Sequence, residues 1–337
     1  MGKQIIKELE HASERERKLI DDFILNPDTN GEFINSLNYL GYHPRGRFED
    51  KSIFIVDEGS GNIRGVFIAA EDIDNPKRII SHPGTTFAGI IVNKKLSIKN
   101  LEEIVNLIME YYEKRYESIV VRLRPEFFDI QPFGEVSYFL LRRGYRYCMS
   151  GLSNVIDISN IHNEDDIFRM YDATKRNQVR KALREKQFII NNTNKLRKDV
   201  WDNMNNTLKE KHNAHSTHTF DEIEELMRRV PTNISAYYAE KIDGEYGAFA
   251  LVYKFKNIFH TQYLDTNYKY TGQYPNLLLI HNLLQIARQE GYAKFSFGVS
   301  TENHGLYLNC GLFNYKSGYG GGSVVQAEYE WMCEKKD

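Results

Sequence analysis

Four groups of residues have the types and spacing to do chemistry. Arg176, Arg180 and Arg184 recur at i, i+4, i+8, with Lys175, Lys181 and Lys186 beside them. On a helix they form one stripe, and guanidinium forks suit carboxylate and phosphate. The stripe reads as contact with an anionic acceptor, a nucleotide-sugar or tRNA, or as a solvated helix face. His212, His215 and His218 lie three apart in Lys211–Thr219; zinc would need a fourth ligand, and no Cys is near. That loop is expected to border an acceptor cleft between domains. In Tyr270-Thr-Gly-Gln-Tyr-Pro-Asn276, Gly272 precedes Pro275 at the start of a helix. Free N–H groups and the macrodipole favour an anion there, and an ordinary helix cap uses the same residues. His304 titrates near neutrality and is a candidate base, against the reading of a polar surface residue.

Elements must position these groups. Strands are expected at 53–56, 63–70 and 87–92, then a helix over 98–116 with Leu101, Ile104, Val105, Ile108, Tyr111 and Tyr112 at helical spacing. A buried strand (118–123), a helix (133–143) ending at Gly144 and a strand region (145–158) follow. The second half repeats this order: strands 234–240, 245–255 and 257–265, a helix 275–290 ended by Gly291, a strand 292–297, a short helix 301–310, and closing strands 312–317 and 323–332. Gly65 and Gly247, and Gly144 and Gly311, hold corresponding places. One large α/β domain is the alternative.

Strand-strand-strand-helix-strand-helix-strand is the order of the GNAT acyltransferase fold, and two copies in tandem resemble the Fem family of peptidoglycan bridge-forming aminoacyltransferases and their acetyltransferase relatives. Three passages carry the resemblance: Thr174-Lys-Arg-Asn-Gln-Val-Arg-Lys-Ala-Leu-Arg184, Tyr274-Pro-Asn-Leu-Leu-Leu-Ile-His with Gly291-Tyr-Ala-Lys-Phe-Ser-Phe-Gly298, and Gly311-Leu-Phe-Asn-Tyr-Lys316 through Gly320-Gly. They cover 160–325 well and the first half weakly. The resemblance implies a thioester donor whose pyrophosphate meets Thr271, Gly272, Gln273, Tyr274 and Asn276. In Asn303-His-Gly-Leu-Tyr307-Leu-Asn-Cys-Gly311 it implies Tyr307 as general acid and Asn303 against the pantetheine, or else Tyr307 as a helix tyrosine packed on the sheet. Lys316 resembles the family's Phe-Lys lysine, which implies a place next to a phosphate or developing oxyanion, or else it is a solvated strand lysine. Leu140 stands where Tyr307 stands in the second half, so the first domain is expected to be non-catalytic. The long coiled-coil arm of many bridge-forming members is absent.

The composition is globular: 41% hydrophobic and 27% charged, with 22 Tyr and 19 Phe to build cores. With 44 basic against 46 acidic residues the net charge is -2, which argues against a globally cationic DNA binder. Three cysteines without metal-ligand spacing fit a reducing cytoplasm. No run reaches the ~18 apolar residues of a membrane span, and the first residues lack a signal-peptide core. These features together predict an α/β (α+β) protein of two tandem GNAT-like domains, 1–158 and 159–337, each a mixed, mostly antiparallel sheet flanked by helices. The expected function is a cytoplasmic N-acyltransferase that moves an acyl group from acetyl-CoA or another acyl-CoA to the amine of a small molecule or cell-envelope precursor, without a metal. The alternatives are an aminoacyl-tRNA donor, or a GNAT-like scaffold that binds without catalysis. The catalytic candidates are Tyr307, His304 and Lys316. Arg176, Arg180 and Arg184 are expected to bind the acceptor.

Overall fold

The computed structural model describes residues 3–212 and 214–333, with the backbone alone at Met149, Ser150, Lys211 and His212. Ser13 begins the first helix: its hydroxyl accepts the Glu16 N–H while Glu16 accepts the Ser13 N–H, so two orphan donors are satisfied together. That helix, α1 (Glu14–Leu25), follows β1 (Gln4–Glu8). After it come α2 (Leu37–Leu40), β2 (Ile53–Asp57), β3 (Ile63–Asp72), β4 (Asn75–Ser81), β5 (Gly89–Val92), α3 (Ile98–Glu113), β6 (Ser118–Val121), α4 (Glu135–Arg142) and β7 (Arg146–Asp157). The second half holds α5 (Glu164–Met170), α6 (Ala173–Glu185), β8 (Ile189–Thr193), α7 (Lys198–His212), α8 (Phe220–Arg229), β9 (Ile234–Glu240), β10 (Tyr246–Lys254), β11 (Ile258–Thr266), α9 (Pro275–Gln289), β12 (Lys294–Val299), β13 (Thr301–Glu302), β14 (Tyr307–Leu308), α10 (Cys310–Ser317) and β15 (Gly322–Met332).

Two compact units result, Met1–Ser150 with Gln326–Asp337, and Gly151–Val325. In the first, β1–β2–β3 are antiparallel, β3 pairs with both β4 and β5, and β4 runs parallel to β6. The helical spacing of α3 buries Leu101, Ile104, Val105, Ile108 and Tyr112 against Ile53, Ile55 and Phe67 of this sheet. In the second, β8, β9, β10 and β11 are antiparallel neighbours, and β11 runs parallel to β12. There α9 buries Leu277, Leu278, Leu283 and Leu284 against Tyr237, Ala250 and Phe259.

Each sheet also takes a strand from the other repeat. Ser153–Asp157 of β7 pairs antiparallel with β12, and Tyr329–Met332 of β15 pairs with β6. The packing therefore divides the chain at 150/151 rather than at 158/159, and returns the last residues to the first unit.

The repeated strand and helix order is present, with three corrections. The expected strand 87–92 is present as β5, but β4 precedes it as a further strand: pairing with β3 passes from Ser81 opposite Ala69 to Gly89 opposite Ile68, so β4 and β5 lie end to end along β3 with 82–88 looped out. Pro76 and two cations disguise β4, since Pro is tolerated near a strand's start. The expected helix 301–310 is a hairpin of β13 and β14, turned by Asn303, His304 and Gly305 at φ 48, 51 and 85. The expected strand 312–317 is helix α10, because the Asn309 carboxamide accepts the Leu312 N–H and caps it. The glycine that closes the second repeat's last helix is thus Gly318, not Gly311.

Candidate functional site

The second unit opens where β11 and β12 part. They pair from Ile258/Lys294 to His260/Ser296 and then separate. β11 continues to Thr266 against β10, while β12 continues through Gly298 and Val299 against Asn154 and Ser153. Both strands bulge at the fork. Thr261 and Tyr263 oppose adjacent residues of β10, leaving Gln262 extra, and Ser296 and Gly298 oppose adjacent residues of β7, leaving Phe297 extra. A bulged residue leaves the ladder, so its backbone groups are released at the fork.

Lys316 lies against β12 beyond the fork. It is 5% exposed, and its Nζ donates to the Val299 carbonyl at 2.5 Å and the Gly298 carbonyl at 3.3 Å. Burial pulls its ammonium from the ordinary 10.5 down to about 8. A buried hydrogen-bond chain fixes α10 beneath it: the Ser300 hydroxyl donates to Asn154 Oδ1 at 2.8 Å, and Asn154 Nδ2 donates to the Ser317 hydroxyl at 3.1 Å.

His260, which the sequence reading passed over, ends the paired part of β11. Its Nδ1 is 3.1 Å from the Ser296 hydroxyl, and Gly298 packs against its ring. Gly298 has φ +68, and a Cβ there would lie 3.1 Å from His260 Cε1, so glycine meets both demands. Burial, then the Lys316 charge, lowers the imidazole from 6.5 to about 4 and keeps it neutral. A titratable residue in an aromatic strand that leads into the loop before α9 was the available sequence signal.

Farther along β11, the Tyr263 hydroxyl is 2.8 Å from His218 Nδ1 and its ring meets Trp201 edge-on at 5.1 Å. Tyr246 donates to the buried Asp265 carboxyl, whose value burial raises. Of the loop histidines, His215 and His218 line a groove with Trp201 and Asp202, and the side chain of His212 lies outside the described residues. His281 is a core histidine, between Tyr171 and Glu164.

The loop before α9 is a tight turn, Tyr268–Gln273, with Tyr274 left-handed at φ 57 as the N-cap. The Thr271 hydroxyl donates to the Tyr268 carbonyl, and Gln273 keeps a buried Oε1 without a partner among the described residues. Gly272 has no positive φ, and a Cβ there would meet nothing within 4 Å. Few donors are left at this helix start: Pro275 has no N–H, and the Leu277 N–H is taken by Asn276 Oδ1. Asn276 Nδ2 donates to the Tyr315 hydroxyl of α10 at 3.0 Å.

The remaining sequence candidates do not converge on the fork. Tyr307 is on β14 and 65% exposed, neither on a helix nor packed on the sheet. Asn303 and His304 form the exposed hairpin turn. The arginine stripe is on α6, with Arg176 donating to the Tyr171 carbonyl, Arg180 over the Phe168 ring and Arg184 exposed.

The first unit's corresponding strands do not open. Beyond the last β4–β6 pair, the Arg122 N–H donates to the Ser81 hydroxyl, its guanidinium donates to the Ser81 and His82 carbonyls, and the Ala88 N–H returns to the Arg122 carbonyl. Metal-ligand types gather, among the described residues, at Glu8, Glu10 and His11 of this unit, where the His11 ring lies 3.2 Å from the Glu10 carboxylate. No helix of the described residues is long and apolar enough to cross a membrane.

Residues 169–317 match the family model described as an acetyltransferase (GNAT) domain. A tandem GNAT protein from the clavulanic acid biosynthesis pathway is similar over 99% of this chain and 100% of its own, at a TM-score of 0.50 and 10% identity. This chain has a tandem GNAT fold. FemX is similar to this chain at a TM-score of 0.68 and 12% identity, over 99% of this chain and 98% of FemX. The C-terminal domain of a putative lysylphosphatidylglycerol synthetase from Agrobacterium fabrum resembles this chain at 0.59 and 12%, over 94% and 91%. No curated protein matches the sequence. The matched GNAT segment lies inside the second unit and includes β11, β12 and α10, the elements that form the fork.

Proposed function

We propose that the protein is an N-acyltransferase whose second unit takes an acyl-CoA, acetyl-CoA being the simplest, and transfers its acyl group to the amine of a small-molecule or cell-envelope precursor. The observation that carries this is the parting of β11 from β12 beside a bulge, with Lys316 on the wall. A thioester laid in the gap puts its carbonyl near the released backbone of Gln262. The acceptor nitrogen attacks that carbon, the C–N bond forms, and the oxyanion meets the bulge N–H and the Lys316 ammonium. The C–S bond then breaks, the thiolate takes a proton, and the amine gives one up. His260, neutral at the fork, is the nearer candidate to relay it. Tyr307 and His304 serve only if the hairpin brings them to the sulfur. Tyr307→Phe tests that role, and an unchanged turnover returns Tyr307 to the surface.

The first unit is proposed to be non-catalytic, because Arg122 and the 82–88 loop fill the place of the fork. The arginines of α6 are proposed to read the acceptor's negative charge, so Arg180→Ala should raise the acceptor KM and spare that of acyl-CoA. The scarcity of N–H donors at α9 favours a second reading, an aminoacyl-tRNA donor, which presents no pyrophosphate. Thermal stabilisation by acetyl-CoA together with ribonuclease-resistant transfer supports the first reading. Ribonuclease-sensitive transfer supports the second, and stabilisation by acetyl-CoA without transfer to any amine supports a scaffold.

A further inference from the structure

The first turn of α6 holds a buried cation. Lys175 is 7% exposed, and among the described residues its Nζ meets no hydrogen-bond acceptor and no ion-pair partner. It lies 4.0 Å from the Tyr315 ring centre and 4.6 Å from that of Tyr319. Asp172 is the acidic group whose charge reaches it, and Asp172 Oδ1 accepts the backbone N–H of Lys175 at 2.7 Å. Aromatic faces attract an ammonium but accept no hydrogen bond of ordinary strength, so the N–H donors of Lys175 stay available to a ligand. Gly318 leaves room for both side chains: a Cβ there would lie 2.5 Å from Asp172 Oδ2 and 2.8 Å from Lys175 Cε.

The tyrosine that carries Lys175 also touches the start of α9, since its hydroxyl accepts from Asn276, the second residue of that helix. One turn and a half along α6, Lys181 Nζ stands 5.3 Å from the ring of Tyr274, the N-cap of α9, with Glu185 at 3.8 Å as its salt-bridge partner. Lys181 thus stands beside a 15-residue helix N-terminus that is short of backbone donors, and Lys175 is joined to it through the ring of Tyr315, whose hydroxyl accepts from Asn276. The macrodipole still favours an anion there.

We propose that Lys175, with Lys181 as the second cation, binds a phosphate group of the donor at the start of α9, supplying from side chains the charge that a glycine-rich loop supplies from backbone N–H groups. This rests on the acyl-CoA reading and specifies how its diphosphate is held. Binding would give the Lys175 ammonium the acceptors it lacks.

Calorimetric titration of the full chain with CoA, with S-acetylpantetheine, which carries no phosphate, and with inorganic pyrophosphate tests this. For Lys175→Met, affinity for CoA and pyrophosphate should fall about ten- to a hundredfold, as for one or two charge-assisted hydrogen bonds. S-acetylpantetheine should bind as before, and Lys181→Met should give the same selective pattern more weakly. Lys175→Gln, compared at equal melting temperature, guards against a packing defect in the Met variant. Unchanged CoA and pyrophosphate binding in folded Lys175 variants overturns the proposal and leaves the acyl-CoA reading standing. Equal weakening of S-acetylpantetheine also overturns it, because that is a structural effect. Lys175-dependent pyrophosphate binding by a chain that does not bind CoA keeps the anion site and sinks the acyl-CoA reading. A wild-type chain that binds none of the three sinks both.

Discussion

Lys316 donates to two carbonyls, and burial lowers the value of its ammonium to about 8. If its charge stabilises the oxyanion, kcat/KM should hold below pH 8 and fall as the pH rises through it. Lys316→Arg should carry the plateau to higher pH, and Lys316→Met should lose about 10²–10³-fold in kcat at all pH values, the usual worth of one such donor. The stability effect has the opposite sign. An unfolded lysine keeps its proton to 10.5, so between about 8 and 10.5 the unfolded chain binds more protons and this group makes folding more favourable as pH rises. Activity lost at pH 9 with an undiminished melting temperature would separate the two. Lys316 was singled out through its resemblance to the family's Phe-Lys lysine. His260 was not, because a lone histidine among Ile258, Phe259 and Thr261 reads as strand filler until the fork beside it is known.

The elements show why Gly298 and Gly272 are not equivalent. Gly272 drew attention as part of an anion loop, but its backbone is ordinary and open space surrounds it, so Gly272→Ala should change neither stability nor donor KM measurably. Gly298→Ala forces a side chain into the left-handed region, at about 1–2 kcal/mol, and pushes on His260. It should lower both the melting temperature and kcat. Asn309→Ala removes the cap of α10 and should cost about 0.5–2 kcal/mol by denaturant titration, with Lys316 loosened and kcat reduced as well. The long periodic elements, α3, α9 and β9–β11, were readable because apolar spacing sets them. The region 301–317 was not. Its helix rests on one asparagine cap and its hairpin on three consecutive left-handed residues, and neither shows in a hydrophobic pattern.

At the scale of the molecule, three neutral histidines share one dependence. Burial, the largest cause at each, lowers His82 to about 3 and His260 to about 4, and lowers His281 as well. Unfolded, each would take a proton near 6.5, so their stabilising contribution is full above that value and is lost as pH falls below it. The urea midpoint should drop between pH 7 and pH 5. A replacement of His82 by an uncharged residue, such as His82→Gln, should flatten part of that slope; an unchanged slope would mean that the carboxylates dominate acid unfolding. The tandem arrangement was visible in the repeated element order, whereas the assignment of Tyr329–Met332 to β6 was not, because no local pattern states which edge a terminal strand will join.

That terminal strand also sets an order of events during synthesis. Residues 118–121 emerge long before 329–332, yet their pairing and the core position of Tyr329 need both. The first unit is therefore made first and completed last, holding an open strand edge while some two hundred residues are added. Ribosome-bound chains stalled before residue 326 should leave the first unit open to protease, and release of the full chain should protect it. A protein built in this way shows chaperones an unfinished first unit until residues 329–332 have emerged to pair with 118–121.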